Sequence, residues 1–125
     1  MPGLDVQIDT VGTTAVLRVR GEADIASAPA LAVRAAELIR SRDCDIVVDL
    51  TDVTFADSTA LSVLLNITRR ATRAGLGSAV ICPDGPVRMP LRIARLEETL
   101  RVKDTESEAL RAIEELRRRT SGETP

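Results

Sequence analysis

Leu4, Val6 and Ile8 alternate with Asp5, Gln7 and Asp9, the period-2 pattern of a half-exposed strand. Gly12-Thr13-Thr14 supplies a turn. Ala15, Leu17 and Val19 then alternate with Val16, Arg18 and Arg20 as a second strand. Two alternating strands joined by a short turn predict an antiparallel hairpin at a sheet edge. Gly21-Glu22-Ala23-Asp24 ends the second strand in a loop. From Ser27 or Ala28 to about Arg40 the spacing becomes helical, with Ala28, Leu31, Ala32, Ala35, Leu38 and Ile39 on one face. Ser27 is the expected N-cap, and Pro29 falls in the first turn, where its missing N–H costs nothing.

The stretch that organises the chain follows. Asp45 to Leu50 is an apolar β-branched run, predicted to be a strand buried on both faces, with a short polar loop after it. That loop contains Phe55, the only aromatic residue in the chain. A helix is predicted from Ser58 to about Arg73, with Leu61, Leu64, Leu65 and Thr68 inward and Gly75 at its C-terminal end. Asp57 is its N-cap, because its carboxylate can accept a backbone N–H of the first turn. Ser78 to Cys82 is a second fully apolar strand, closed by Pro83-Asp84-Gly85-Pro86. Val87 to Leu96 is a weaker helix interrupted by a proline, Leu100 to Lys103 a short strand, and Ser107 to Arg118 a helix with Leu110, Ile113 and Leu116 inward. The tail, residues 118–125 at its widest, is expected to be disordered.

The predicted order, β-β-α-β-α-β-α-β-α, is an α/β fold in one domain. About five strands form a mixed sheet, an N-terminal hairpin followed by parallel strands, with about four helices. The pattern does not decide whether the helices cover one face or both.

Composition narrows the chemistry. With 125 residues, 44% of them hydrophobic, the chain suits a single core. A net charge of −2 without blocks of like charge gives no footprint for nucleic acid or an anionic membrane. No apolar run is long enough for a membrane helix, and the N-terminus lacks the form of a signal peptide, so a cytoplasmic protein is expected. There is no histidine, hence no imidazole base and no histidine metal ligand. Cys44 and Cys82 are far apart and read as buried thiols in a reducing compartment. Asp49, Asp52 and Asp57 have the oxygen chemistry of a divalent-cation site, but capping of turns and of a helix is the simpler reading. No phosphate-binding glycine motif is present, and no cofactor is expected.

Ser58 has two readings. One is a first-turn serine that helps start its helix. The other is a phosphorylation site at the positive end of a helix dipole. A phosphate would add about −1.5 to −2 charges and three strong acceptors beside free N–H groups, with Asp57 opposing it.

Together, G-E-A-D at 21–24, D-I-V-V-D-L at 45–50 and F-A-D-S-T-A-L-S-V-L-L at 55–65 resemble the STAS domain family. Within it they look most like the stand-alone bacterial anti-sigma factor antagonists. The resemblance spans residues 4–117. It implies a non-enzymatic binding protein that captures an anti-sigma factor, itself a serine kinase, and so frees a sigma factor. It also implies that this kinase phosphorylates Ser58 to abolish binding and that a phosphatase resets the switch. Gly21, Glu22, Asp24, Asp57, Ser58, Thr59, Ala60 and Leu61 are the implied partner-binding residues. Ala60 stands where the family usually has glycine, which places a methyl beside the acceptor serine. Two alternatives stay open. One is a constitutive STAS scaffold subunit of a signalling or lipid-transport complex, which an exposed apolar patch on the second helix would favour. The other is a receiver-like domain phosphorylated on Asp49.

Overall fold

The N-terminal hairpin is formed by β1 (Leu4–Val11) and β2 (Thr14–Ala23), which pair antiparallel from Leu4 opposite Gly21 to Val11 opposite Thr14. Gly12, at φ 62°, turns the chain between them. In this computed structural model, which describes residues 3–120, the chain continues through α1 (Ala28–Ser41), β3 (Asp45–Ala56), α2 (Ser58–Arg73) and β4 (Ser78–Ile81). It ends with α3 (Arg88–Ile93), β5 (Val102–Lys103) and α4 (Glu106–Thr120). The five strands lie in sequence order, β1-β2-β3-β4-β5, and every pair after the hairpin is parallel.

The helices cover both faces of the sheet. Ala15, Leu17 and Val19 of β2 join Ile46, Val48 and Leu50 of β3 in a core closed by Leu31, Ala35 and Ile39 of α1 and Leu64, Ile67 and Ala71 of α2. Leu17 and Ile46 are fully buried, each worth about 1.5–3 kcal/mol relative to exposure. On the opposite face, Val16, Val47, Ala79 and Ile81 pack against Ala109 and Ile113 of α4 alone. α4 reaches the hairpin only at Val16 and Val11. There Arg18 bridges Asp9 of β1, Asp49 of β3 and Glu106 of α4, so a guanidinium fastens the helix where apolar contact ends. At the far end, Asp45 is 4% exposed at its side chain, accepts the Gly77 N–H at 2.8 Å and pairs with Arg117 of α4.

Several boundaries move from those predicted. β2 and β3 do not stop at Arg20 and Leu50. Both run on as a pair to Ala23 and Ala56 through register shifts near Arg18/Arg20 and Gly21/Glu22. The segment expected as a polar loop, Thr51 to Ala56, is therefore strand, with Val53 buried and Thr51, Asp52, Thr54 and Phe55 exposed. α3 is only six residues long: Pro90 falls in its first turn, where the missing N–H costs nothing, and the chain leaves the helix at Arg95, φ 59°. α4 continues through residues 118–120, assigned above to the tail, because Arg117–Arg119 suit a helix C-terminus. Residues 121–125 of that tail lie outside the described residues. At the end of α2 the C-cap is Ala74. Gly75, one residue later, takes φ 77° and lets the N–H groups of Gly75 and Leu76 reach the carbonyls of Thr72 and Ala71.

Candidate functional site at the carboxyl edge of the sheet

The extended β2–β3 pair brings the two sequence motifs side by side. Gly21 lies opposite Val53, Glu22 opposite Phe55 and Ala23 opposite Ala56. The Asp57 N–H then donates to the Ala23 carbonyl at 3.1 Å, and the chain enters α2.

Asp57 performs two tasks. One carboxylate oxygen, Oδ1, accepts the N–H of Ala60, the third helical residue, at 3.0 Å. This is the predicted N-cap. The other, Oδ2, accepts the N–H of Ile25 at 3.1 Å, which ties the β2–α1 loop to the start of α2. The same residue thus caps the helix and fixes its neighbouring loop.

That loop is organised by Asp24 rather than by Ser27 alone. The Asp24 carboxylate accepts the N–H groups of Ala26 and Ser27 at 3.0 and 2.9 Å. The Ser27 hydroxyl accepts from the Asp24 N–H at 3.0 Å and donates to the Glu22 carbonyl at 2.6 Å. Hydrogen bonds from Ser27, backbone first and then side chain, hold the Asp24 carboxyl below its ordinary value. Ser27 precedes α1 as expected, but its side chain makes no capping bond to that helix.

Ser58 is the first residue of α2. It is exposed, and its hydroxyl makes no hydrogen bond among the described residues. The N–H groups of Ser58 and Thr59 open the helix and have no acceptor in it, because the first intrahelical bond closes from Leu61 to Asp57. Thr59 and Leu61 are half-buried. Ala60 is not a surface contact: it is 4% exposed and belongs to the core between the sheet and the helices. Its methyl is turned into that core rather than onto the surface beside Ser58, where it was expected. Gly21 has a backbone role of its own. At φ 111°, a Cβ there would meet the Gly3 carbonyl oxygen at 2.1 Å. Only glycine lets β1 begin against this position, where the Glu22 N–H donates to that carbonyl. The Glu22 side chain is exposed and unpartnered among the described residues.

Two residues were missed by the sequence reading. Ile25, on the loop held by Asp57, is 75% exposed, and Phe55, next to the last residue of β3, is 49% exposed. An isolated isoleucine in a polar loop gives no periodic signal, and Phe55 was noted only as the lone aromatic. Large apolar side chains left in water beside an exposed serine are the expected composition of a contact surface. α3, which begins at the same edge, exposes Met89 and Ile93 as well. Its start is pinned by Arg88, which donates to Glu97, to the Cys82 carbonyl and to Asp104. Cys82 is buried there, and burial pushes its thiol up to about 11.

The other candidate chemistries do not assemble. Asp49 is engaged by Arg18 and by the Thr51 hydroxyl and N–H, and Asp57 by two backbone N–H groups. Among the described residues no three such groups gather as ligands for a metal ion. Among the described residues no helix is long and apolar enough to cross a membrane. None of the exposed large apolar residues lies on α2.

Comparison with solved structures places the whole arrangement among known folds. An anti-sigma factor antagonist from Mycobacterium paratuberculosis superposes with a TM-score of 0.83 at 24% identity, covering 90% of this chain and 95% of the other. The Thermotoga maritima protein TM1081 gives 0.74 at 27% identity, over 89% and 87%. The unphosphorylated form of the Bacillus anti-sigma factor antagonist SpoIIAA gives 0.69 at 20% identity, over 97% and 100%. A comparison with curated protein sequences finds no match. The family model described as the STAS domain matches residues 5–109, most of the described chain, and the chain belongs to the STAS domain family.

Proposed function

We propose that this STAS domain is an anti-sigma factor antagonist: it binds an anti-sigma factor that is also a serine kinase, releases a sigma factor, and is switched off by phosphorylation at Ser58. The observation that carries the reading is the state of Ser58, an exposed and unpartnered hydroxyl at the first position of α2, flanked by exposed Ile25 and Phe55. Similarity of fold to the antagonists from Mycobacterium paratuberculosis and Bacillus supports the role. One of these, SpoIIAA, is known in both an unphosphorylated and a phosphorylated form.

The switch is electrostatic. A phosphate on Ser58 adds about −1.5 to −2 charges at the rim of an apolar contact. The free N–H groups of Ser58 and Thr59 accept part of that charge, so the fold tolerates it. Asp57 cannot move aside, because both of its oxygens are committed. The partner then meets a dianion and a fixed carboxylate together. A thousandfold loss of affinity requires about 4 kcal/mol, within reach of uncompensated charge in a desolvated interface. The domain acts as a binding module, with no residue in a catalytic role. A constitutive scaffold gains no support, since α2 exposes no large apolar side chain.

The test is intact-mass analysis after incubation with ATP, Mg²⁺ and candidate anti-sigma kinases. One phosphate added to the wild type and none to Ser58→Ala is the expected result. Ser58→Ala keeps binding the kinase, and Ser58→Asp loses it by about a thousandfold. Wild-type affinity in Ser58→Asp refutes the switch.

A further inference from the structure

α1 and α2 lie side by side and leave a groove along their outer surface. Its upper part, about 200 Å³, is mostly apolar, lined by Ala32, Val33, Ala36, Ile39 and Ile67 with Asn66 and Arg70 at its side. Below, it widens into a cleft of about 380 Å³ walled by Arg40, Arg42, Arg70 and Arg73. Ala36, Ile39 and Arg70 belong to both parts, so the groove is continuous. It lies at the C-terminal ends of both helices. α2 has 16 residues, which puts the cleft about 20 Å from Ser58 at 1.5 Å per residue.

The charge of this cleft is not explained by the fold. Arg18, Arg88 and Arg92 are in ion pairs, while Arg20 and Arg69 have none among the described residues, so what stands out is the gathering of four arginines around one cleft. None of the four cleft arginines has an ion pair or a side-chain hydrogen bond among the described residues. α2 contains no Asp or Glu at all, in a chain whose net charge is −2. A helix C-terminus favours a cation in its last turn, which accounts for Arg40, Arg70 and Arg73 one at a time. It does not account for gathering them with Arg42 around one cleft, where like charges repel. Nor does it account for the apolar furrow leading into the cleft, or for Val33 left 59% exposed beside it.

We propose that this groove docks an acidic amphipathic α-helix of a protein partner. Apolar side chains one turn apart would lie along Ala32, Ala36 and Ile67, where small residues permit close approach, and carboxylates would meet the arginines. Concavity argues for a helix over a lipid surface: a bilayer takes up projecting apolar side chains, and here only Val33 projects. The site lies at the opposite end of α2 from Ser58, so its occupancy is independent of the switch proposed above.

The test uses the isotopically labelled full chain and two synthetic 18-residue helical peptides, one with Leu and Ala on one face and Glu on the other, the second with Lys in place of Glu. The expected result is that the acidic peptide shifts the resonances of Val33, Ala36, Ile67 and Arg70. Its affinity falls at least about tenfold in Arg70→Glu/Arg73→Glu and falls with added salt. Ser58→Asp binds the peptide like the wild type, which separates this site from the phosphorylation surface. Equal binding of the lysine peptide, indifference to charge reversal, or no shift at about 1 mM peptide overturns the proposal. So does capture by phosphatidylglycerol vesicles, lost in the double variant, without binding of the acidic peptide. The substituted arginines are exposed, and a circular dichroism spectrum and melting curve check that the variant is folded.

Discussion

Replacing Asp57 separates its two tasks. In Asp57→Ala the Ala60 N–H loses its acceptor, which costs about 1 kcal/mol for a lost N-cap. The Ile25 N–H loses its acceptor too. It is exposed, so water replaces much of that bond, and about 0.5 kcal/mol is a fair charge for it. The sum is about 1.5 kcal/mol. Spread over 125 residues at about 2.1 cal/mol/K each, it lowers the melting temperature by about 6 °C. Asp57→Asn retains an oxygen for the Ala60 N–H but turns an amide donor toward Ile25. It therefore recovers the cap, fails to hold the loop, and costs about a third as much. Urea denaturation of the three proteins measures this, provided the slopes agree. Hydrogen exchange adds a local reading: the Ile25 amide exchanges faster in both variants, and the Ala60 amide only in Asp57→Ala. A loss below about 0.5 kcal/mol in Asp57→Ala, or an asparagine as damaging as alanine, refutes the double role.

Gly21→Ala should destabilise by about 2 kcal/mol or more, because φ 111° and a Cβ 2.1 Å from the Gly3 oxygen leave it no relaxed position; thermal melts check this, and a shift of less than a degree would contradict it. Asp24 gives the acid limb of the stability curve a definite sign. Its carboxyl is held below 3.8 in the folded state, so its contribution is fully present above that pH and is lost as pH falls through and below it. Asp24→Asn should therefore flatten the stability curve below about pH 4, measured by urea midpoints, and an unchanged acid limb counts against the loop geometry.

Much of this was legible from the chain because apolar spacing and backbone geometry agree. The alternation of Leu4, Val6 and Ile8 with polar residues matches a strand, β1, that packs Leu4, Val6 and Ile8 on the core and leaves Asp5 and Gln7 exposed. The unbroken run Ile46-Val47-Val48 belongs to a strand covered by α1 and α2 on one face and by α4 on the other. Asp57 was identified as a cap from its place before a helical pattern. What failed to show was non-local. Thr51 to Ala56 looks like a loop because only Val53 is buried. It is a strand because β2 runs beside it, and that pairing has no signature in the segment itself. Ala60 looked like a surface residue next to Ser58. Three positions into a helix, however, the backbone has turned it inward. Ile25 carries no periodic signal, and its importance comes from a hydrogen bond to a residue 32 positions away.

The unequal strand lengths have a mechanical consequence. β4 spans four residues and β5 two, whereas β2 and β3 span ten and twelve. Past the ends of β4 and β5, β2 and β3 run on together, with β1 beside β2 as far as Gly21 and ladder irregularities along the way, and Ser58 sits just past the last pair. Under the switch proposed above, a partner or a phosphate at Ser58 would load this end of the sheet first, away from the wider part where β2, β3 and β4 lie together. Such a domain can answer a signal at its edge and keep nearly all of its folding free energy.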